Sequence, residues 1–112
     1  MSQVLSDRRS VAANVTTPNV LDGKLGQRLR SDASLRIGAT ASAVGLMLQF
    51  NVSGRVVIDD QEVSSINRYP QDPEDIILVA GAVLDDELIA RFRNSTAGAI
   101  TGIIVVTVQP VG

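Results

Sequence analysis

The chain has 112 residues, 45% of them apolar, a formal net charge of −2, and neither Cys nor His. This length sets one domain with a single core. The missing Cys and His exclude disulfides, thiolate nucleophiles, His-based triads, and His or Cys metal sites.

Charge is unevenly spread. Residues 1–55 hold seven cationic side chains against three acidic ones, and residues 56–112 hold three against nine. A basic front half and an acidic back half attract one another, either within one chain or between neighbouring copies. The aromatics are Phe50, Tyr69 and Phe92 alone, so the core is built from Val, Ile, Leu and Ala, in which β-branched side chains favour pleated surfaces.

In chain order, residues 1–33 show no sustained period and read as a polar N-terminal arm. A short extended piece falls at 11–18, where Pro18 biases Thr17 away from helix, and Gly23 and Gly26 limit 21–29 to a turn. Strands begin at Ser34, with Leu35 and Ile37 flanking Arg36 in a short strand that ends at Gly38. Val44, Leu46, Leu48, Phe50 and Val52 then alternate without a break, the strongest period-two run in the chain. Ser53 and Gly54 make a tight turn, with a positive φ expected at the glycine. The return strand from Arg55 to Asp59 turns Val56 and Ile58 inward. A second turn is expected at Asp59, Asp60 and Gln61, and a short edge strand at 63–66.

Pro70 and Pro73 mark residues 67–74 as a loop. A strand follows at 75–80 and a turn at 81–86. The last element reads as a hairpin. Leu88, Ala90 and Phe92 share one face of its first arm, and Arg91 and Arg93 the other. Its return strand does not alternate: Ile104, Val106 and Val108 line one face, Ile103, Val105 and Thr107 the other. Such a strand wants to be dry on both sides. Residues 100–108, uncharged and without Pro, also form an aggregation-prone window unless a neighbour covers them. The expected fold is all-β, an antiparallel β-sandwich or jelly roll of six to eight short strands over 34–112, preceded by an extended N-terminal arm over 1–33.

Catalytic chemistry finds no support. The acidic clusters at 59–62, 72–75 and 85–87 invite calcium, but none has the twelve-residue EF-hand pattern, and Asp-rich turns between strands are ordinary turn chemistry. Paired carboxylates for glycoside hydrolysis lack aromatics on which a sugar would stack. The serines have no His to activate them, and the one lysine, Lys24, lies in the arm. Nucleotide-binding glycine motifs are missing, so no catalytic residue, metal or cofactor is expected. Asn14, Asn51 and Asn94 begin glycosylation triplets, which read as chance matches. Nucleic acid is not an expected partner, because a net basic surface and stacking aromatics are both lacking. Nor is a membrane, because no apolar run reaches the ~20 residues of a span. Residues 1–10 hold no apolar stretch of a secretory signal, so the chain reads as made and kept in the cytoplasm or in a particle assembled there.

The polar arm, the Pro-interrupted loop, and the run from Glu74 through Phe92, Arg93 and Asn94 into an Ile/Val-rich closing strand ending at Pro110 resemble small β-sandwich virion proteins of bacterial viruses. These are the jelly-roll-like decoration, cement or minor capsid proteins. The resemblance implies a non-enzymatic structural protein of a bacteriophage virion, assembled in the host cytoplasm. It implies partners in the form of further copies of the chain, a homotrimer favoured, and a larger capsid protein. On this reading Ile89, Ile103 and Val105 form an apolar seam between subunits. Arg91 and Arg93, with the arm arginines Arg8, Arg9, Arg28 and Arg30, pair with acidic groups on adjacent subunits. The alternative is a ligand- or carbohydrate-binding β-sandwich module of a receptor-binding or adhesion apparatus.

Overall fold

The computed structural model describes residues 3–22, 28–66, 68–71 and 75–110. The expected turn at Gly23 and Gly26, Lys24, and the Asp72 to Glu74 part of the acidic loop lie outside the described residues. Seven strands form: β1 (Gln3–Val11), β2 (Ala33–Ala41), β3 (Leu46–Val52), β4 (Arg55–Glu62), β5 (Ile76–Ala82), β6 (Leu88–Asn94) and β7 (Ile100–Pro110). They make two antiparallel sheets, one ordered β1-β7-β2-β5 and the other β4-β3-β6, and no helix forms among the described residues. The protein is an all-β sandwich.

Alternation decides which side chains enter the core. Leu46, Leu48, Phe50 and Val52 of β3 face Leu35, Ile37, Ala39 and Ala41 of β2 and Ile104, Val106 and Val108 of β7, all buried. At ~25 cal/mol per Å² of apolar surface, this interleaved layer is the main source of stability. Val44 does not belong to it, being 66% exposed, because the chain turns at Gly45 (φ 111°) and β3 starts one residue later. Ser53 and Gly54 both take positive φ, 47° and 85°, the backbone that a two-residue hairpin of type I′ demands.

The expected turn at Asp59, Asp60 and Gln61 is instead a bulge inside β4. Leu48 pairs with Gln61 and Phe50 with Ile58, so β4 carries one residue more than β3 over that stretch, and Asp60 takes φ 55°. A second irregularity between Phe50 and Asn51 turns Val56 outward, 50% exposed. The expected edge strand at 63–66 shrinks to an isolated parallel bridge between Ser64 and Thr40.

The closing hairpin is a correction. β6 and β7 sit in different sheets, and residues 95–99 carry the chain across the sandwich. The apolar faces of the two strands therefore meet across the core rather than lying side by side. Gly102 on β7 shows how near they come, since a methyl group there would meet Phe92 Cζ at 3.1 Å and Leu46 Cδ2 at 2.6 Å. Asn94, 1% exposed, locks this corner. Its Nδ2 donates to Val11 O (3.0 Å) and Gly98 O (2.8 Å), and its Oδ1 accepts from Thr96 N (2.9 Å) and Thr96 Oγ1 (2.7 Å).

The expected boundary between an arm at 1–33 and a sandwich at 34–112 also moves. Residues 3–11 are strand β1, paired along their whole length with β7. Residues 15–20 run along the open side of β6. There Thr17 N donates to Phe92 O (2.8 Å), Val20 N to Ala90 O (2.8 Å) and Asn94 N to Val15 O (2.9 Å). The side chains of Thr17 and Asn19 accept in turn from the amides of Phe92 (3.0 Å) and Ala90 (2.9 Å). Val20, Leu21 and Leu29 are buried in the common core. The segment is polar because it works at the sheet edges, where charge and side-chain hydrogen bonds stop further pairing.

Candidate interaction surface

The two sheets present two outer faces, and the expected interface residues divide between them. On the β4-β3-β6 sheet, Ile89, Arg91 and Arg93 pair with Asn51, Gln49 and Met47 of β3. On the other sheet, Ile103 and Val105 of β7 pair with Thr40 and Gly38 of β2 and with Arg8 and Ser6 of β1. Ile89 thus lies on the opposite side of the sandwich from Ile103 and Val105, so one continuous seam cannot hold all three.

Ile103 is already covered. It is 8% exposed and shares a hollow of about 490 Å³ with Ser6, Asp7, Arg8, Arg68 and Tyr69. The loop carrying Arg68 crosses this face, where Thr40 Oγ1 donates to Arg68 O. Arg68 itself is held by Asp75, with Nε donating to Oδ2 (3.2 Å) and Nη2 to Oδ1 (3.3 Å), while Gln71 N donates to Asp75 Oδ2 at 2.8 Å. Burial pushes the Asp75 carboxyl up. The Gln71 amide and the Arg68 guanidinium together outweigh it and hold the group below the usual carboxylate value. Val105 is half-buried at the centre of the same face.

The arginines were expected to reach neighbouring subunits, and several are instead spent within the chain. Arg93 Nε donates to Asp60 Oδ1 (2.9 Å) and Oδ2 (3.1 Å), and its Nη2 to Oδ2 (2.5 Å). The hydrogen bonds from Arg93, helped by its charge, hold Asp60 below the ordinary carboxylate range and raise Arg93 in return. Arg9 Nε bonds Asp7 Oδ2 at 2.8 Å, and Arg28 reaches Glu87 Oε2 (3.2 Å) and Asp85 O (3.0 Å). The physical reason is proximity, since β-pairing and the 28–29 bridge to 86–87 place each cation beside an acid of its own chain. Arg8, Arg30 and Arg91 make no ion pair among the described residues. Arg91 lines a shallow hollow with Thr16, Gln49, Asp59, Asp60 and Arg93.

Apolar surface also stands open on β5 and the turn after it. Val79 is 53% exposed, Val83 57% and Leu84 53%, and Ile76, Ile77 and Leu78 are partly so. β5 is the last strand of its sheet, paired with β2 on one side only. Arg55 from β4 donates to Gly81 O (3.1 Å) at the far end of the strand. Residues 76–84 contain no charge and no Pro, the same signature noted at 100–108. Period alone does not say which of two such strands has neighbours on both sides. β7 has them, in β1 and β2, whereas β5 does not.

Among the described residues no group of three or more acidic side chains is arranged to hold a metal ion. No protein-family model matches the chain, and a search of curated proteins finds no matching relative.

Proposed function

We propose that this protein is a non-enzymatic structural subunit that oligomerises and stabilises a larger protein shell, of the virion decoration, cement or minor capsid kind that its sequence resembles. The observation that carries the reading is the set of exposed apolar side chains Val79, Val83 and Leu84, on and just after the edge strand β5, which no described strand pairs on its outer side. An unprotected apolar edge is an aggregation hazard for a monomer and an interface in an assembly. The reading is tested by sedimentation velocity over a wide concentration range, alone and with candidate shells. Self-association or saturable shell binding supports it. A monomer that remains monomeric and binds no shell overturns it.

One observation favours the second reading, a ligand- or carbohydrate-binding module. Phe50 and Phe92 are fully buried, but Tyr69 is 55% exposed at the rim of the hollow that holds Asp7 and Arg8. An exposed ring beside hydrogen-bonding groups is the kind of lining that small-molecule sites combine. Glycan-array binding that is lost on Tyr69→Ala would establish this reading, and an array without signal would remove it.

A further inference from the structure

Residues 68–71 cross the outer face of the β1-β7-β2-β5 sheet and leave the hollow of about 490 Å³ beside Ile103, walled by Ser6 and Arg8 of β1 and by Arg68 and Tyr69. The crossing is fixed on both sides of Tyr69. Before it, Arg68 N donates to Ile66 O (2.8 Å), Arg68 O accepts from Thr40 Oγ1, and the Arg68 guanidinium holds Asp75. After it, Pro70 is buried, so close to Gly38 that a Cβ on that glycine would meet Pro70 Cβ at 3.5 Å. Tyr69 between them is 55% exposed and adds little to the core. A ring held in place before a ligand arrives costs little further ordering on binding.

Charge gives the hollow its sign. Asp7 lines it too, but is bound to Arg9 at 2.8 Å, and Arg68 is bound to Asp75. Arg8 is exposed and makes no ion pair among the described residues, so one positive charge stands unmatched. The hollow on the other sheet differs, since it sets Asp59 and Asp60 beside Arg91 and Arg93 and has no aromatic ring. A guanidinium fork matches a carboxylate with two parallel hydrogen bonds. A doubly charged phosphate would meet only this one unmatched cation.

We propose that this hollow binds an acidic sugar, with its carboxylate on Arg8 and the C–H face of its ring against Tyr69 and Ile103. Its hydroxyls find the Ser6 hydroxyl and Arg68 Nη1, which is left over because Asp75 takes Nε and Nη2. Hydrogen-bonding groups around one ring and one cation suit a polyhydroxylated acid better than a purely aromatic one. The volume falls within the about 300–1,000 Å³ of small-molecule sites. Free uronic and sialic acids, and glycans that end in them, share this chemistry. The inference rests on the ligand-binding reading above, whose ligand class it names, and is independent of the shell reading.

The test is an NMR chemical-shift titration of the full chain with glucuronate, N-acetylneuraminate, the neutral methyl ester of glucuronate, acetate and inorganic phosphate. It is repeated on Arg8→Gln and Tyr69→Ala, with thermal melting of each, and beside a glycan array. Saturable binding of either acidic sugar is expected, weakened at least about tenfold in R8Q, in Y69A and by use of the ester. Binding confined to acid-terminated glycans on the array, and lost in R8Q, also supports the site and identifies a glycan end as its ligand. An ester that binds as well as glucuronate, or an unimpaired R8Q, would overturn the inference and leave the ligand-binding reading standing. The ester comparison needs no variant to fold. Acetate or phosphate bound as tightly as the sugars would overturn it too, because the hollow would then recognise charge without the ring. Binding of no acidic sugar, free or on the array, overturns it as well, and array signals from neutral glycans then decide the ligand-binding reading separately.

Discussion

Asp60 and Arg93 hold each other across β3, the aspartate from a bulge opposite Gln49 with φ 55° and the arginine from the β6 position that pairs with Met47. The bulge aims the carboxylate. Without the additional residue in β4, the register opposite Gln49 would be regular and the side chain at this position would project differently. The pair explains why two arginines two residues apart on one strand face have different fates: Arg93 is bound to Asp60, and Arg91 makes no ion pair among the described residues.

Replacing the two arginines separately is therefore expected to give unequal results. Both partners of the Arg93 pair are about 40% exposed, so solvent screening keeps its worth small. Arg93→Gln should lower the urea midpoint slightly, and Arg91→Gln should lower it less. Equal losses would show that the bidentate geometry contributes nothing. If Arg91 serves a partner, R91Q should weaken assembly without moving the melting temperature.

Gly102 marks a close approach between the sheets. A methyl group there would sit 2.6 Å from Leu46 Cδ2 and within 3.2 Å of two Phe92 ring atoms, in a core where both side chains are fully buried. Overpacking of this kind typically costs about 1–3 kcal/mol. Gly102→Ala should lower the urea midpoint correspondingly with an unchanged m-value, and Gly81→Ala, where a Cβ meets nothing within 4 Å, should not. A neutral G102A would mean that the sheets separate at little cost.

These positions also show how far the sequence could be read. The alternation of Leu46, Leu48, Phe50 and Val52 placed β3 and its buried face correctly, because period two reports which side chains share a side. It does not report which sheet a strand joins. Phe92 and Ile104 would show the same alternation whether β6 and β7 were hairpin partners or faced each other across the core. Edge strands are harder still. Asp7, Arg8 and Arg9 made residues 1–33 look detached from the domain, although charge is what an edge strand needs. The apolar β5 was read as an ordinary strand, and only the sheet order shows that it has a free side.

Asn94 begins the triplet Asn94, Ser95, Thr96, and its environment decides what that motif can do. Both Nδ2 hydrogens are spent on carbonyls of Val11 and Gly98, and the residue is 1% exposed. Expressed through a glycosylating secretory route, the folded protein should carry no glycan at Asn94, as intact mass would show. Asn94→Ala should be costly, because the buried Val11 carbonyl and the Thr96 amide lose their partner, while Gly98 O keeps the Thr96 hydroxyl. An unmet buried group costs about 1–3 kcal/mol, so a loss of at least ~1 kcal/mol is expected by urea denaturation. Asn94→Asp keeps the acceptor for Thr96 but turns a carboxylate on the two carbonyls, and should be no better. A glycan at Asn94, or an N94A variant as stable as the wild type, would refute the assignment of this side chain as the corner lock.

Asp75 gives the fold a defined response to acid. Its side chain is 3% exposed, and the amide of Gln71 and the guanidinium of Arg68 hold its pKa below the ordinary 3.8 despite burial. A carboxyl depressed in the folded state binds protons more readily when unfolded, so acid favours unfolding. The stabilisation is complete above the unfolded value and is lost as pH falls through 3.8 and on through the lower folded value. Urea stability attributable to this group should be flat above about pH 5 and decline below it. The decline should be shallower in Asp75→Asn, which starts less stable at neutral pH because Arg68 loses its charged partner. Arg68→Gln should move the acid limb in the same direction but less far, since the Gln71 hydrogen bond persists. If wild type and D75N lose stability in parallel between neutral pH and pH 3, the acid sensitivity belongs to other carboxylates, and the Arg68–Asp75 contact that ties the crossing loop over Ile103 does not govern it.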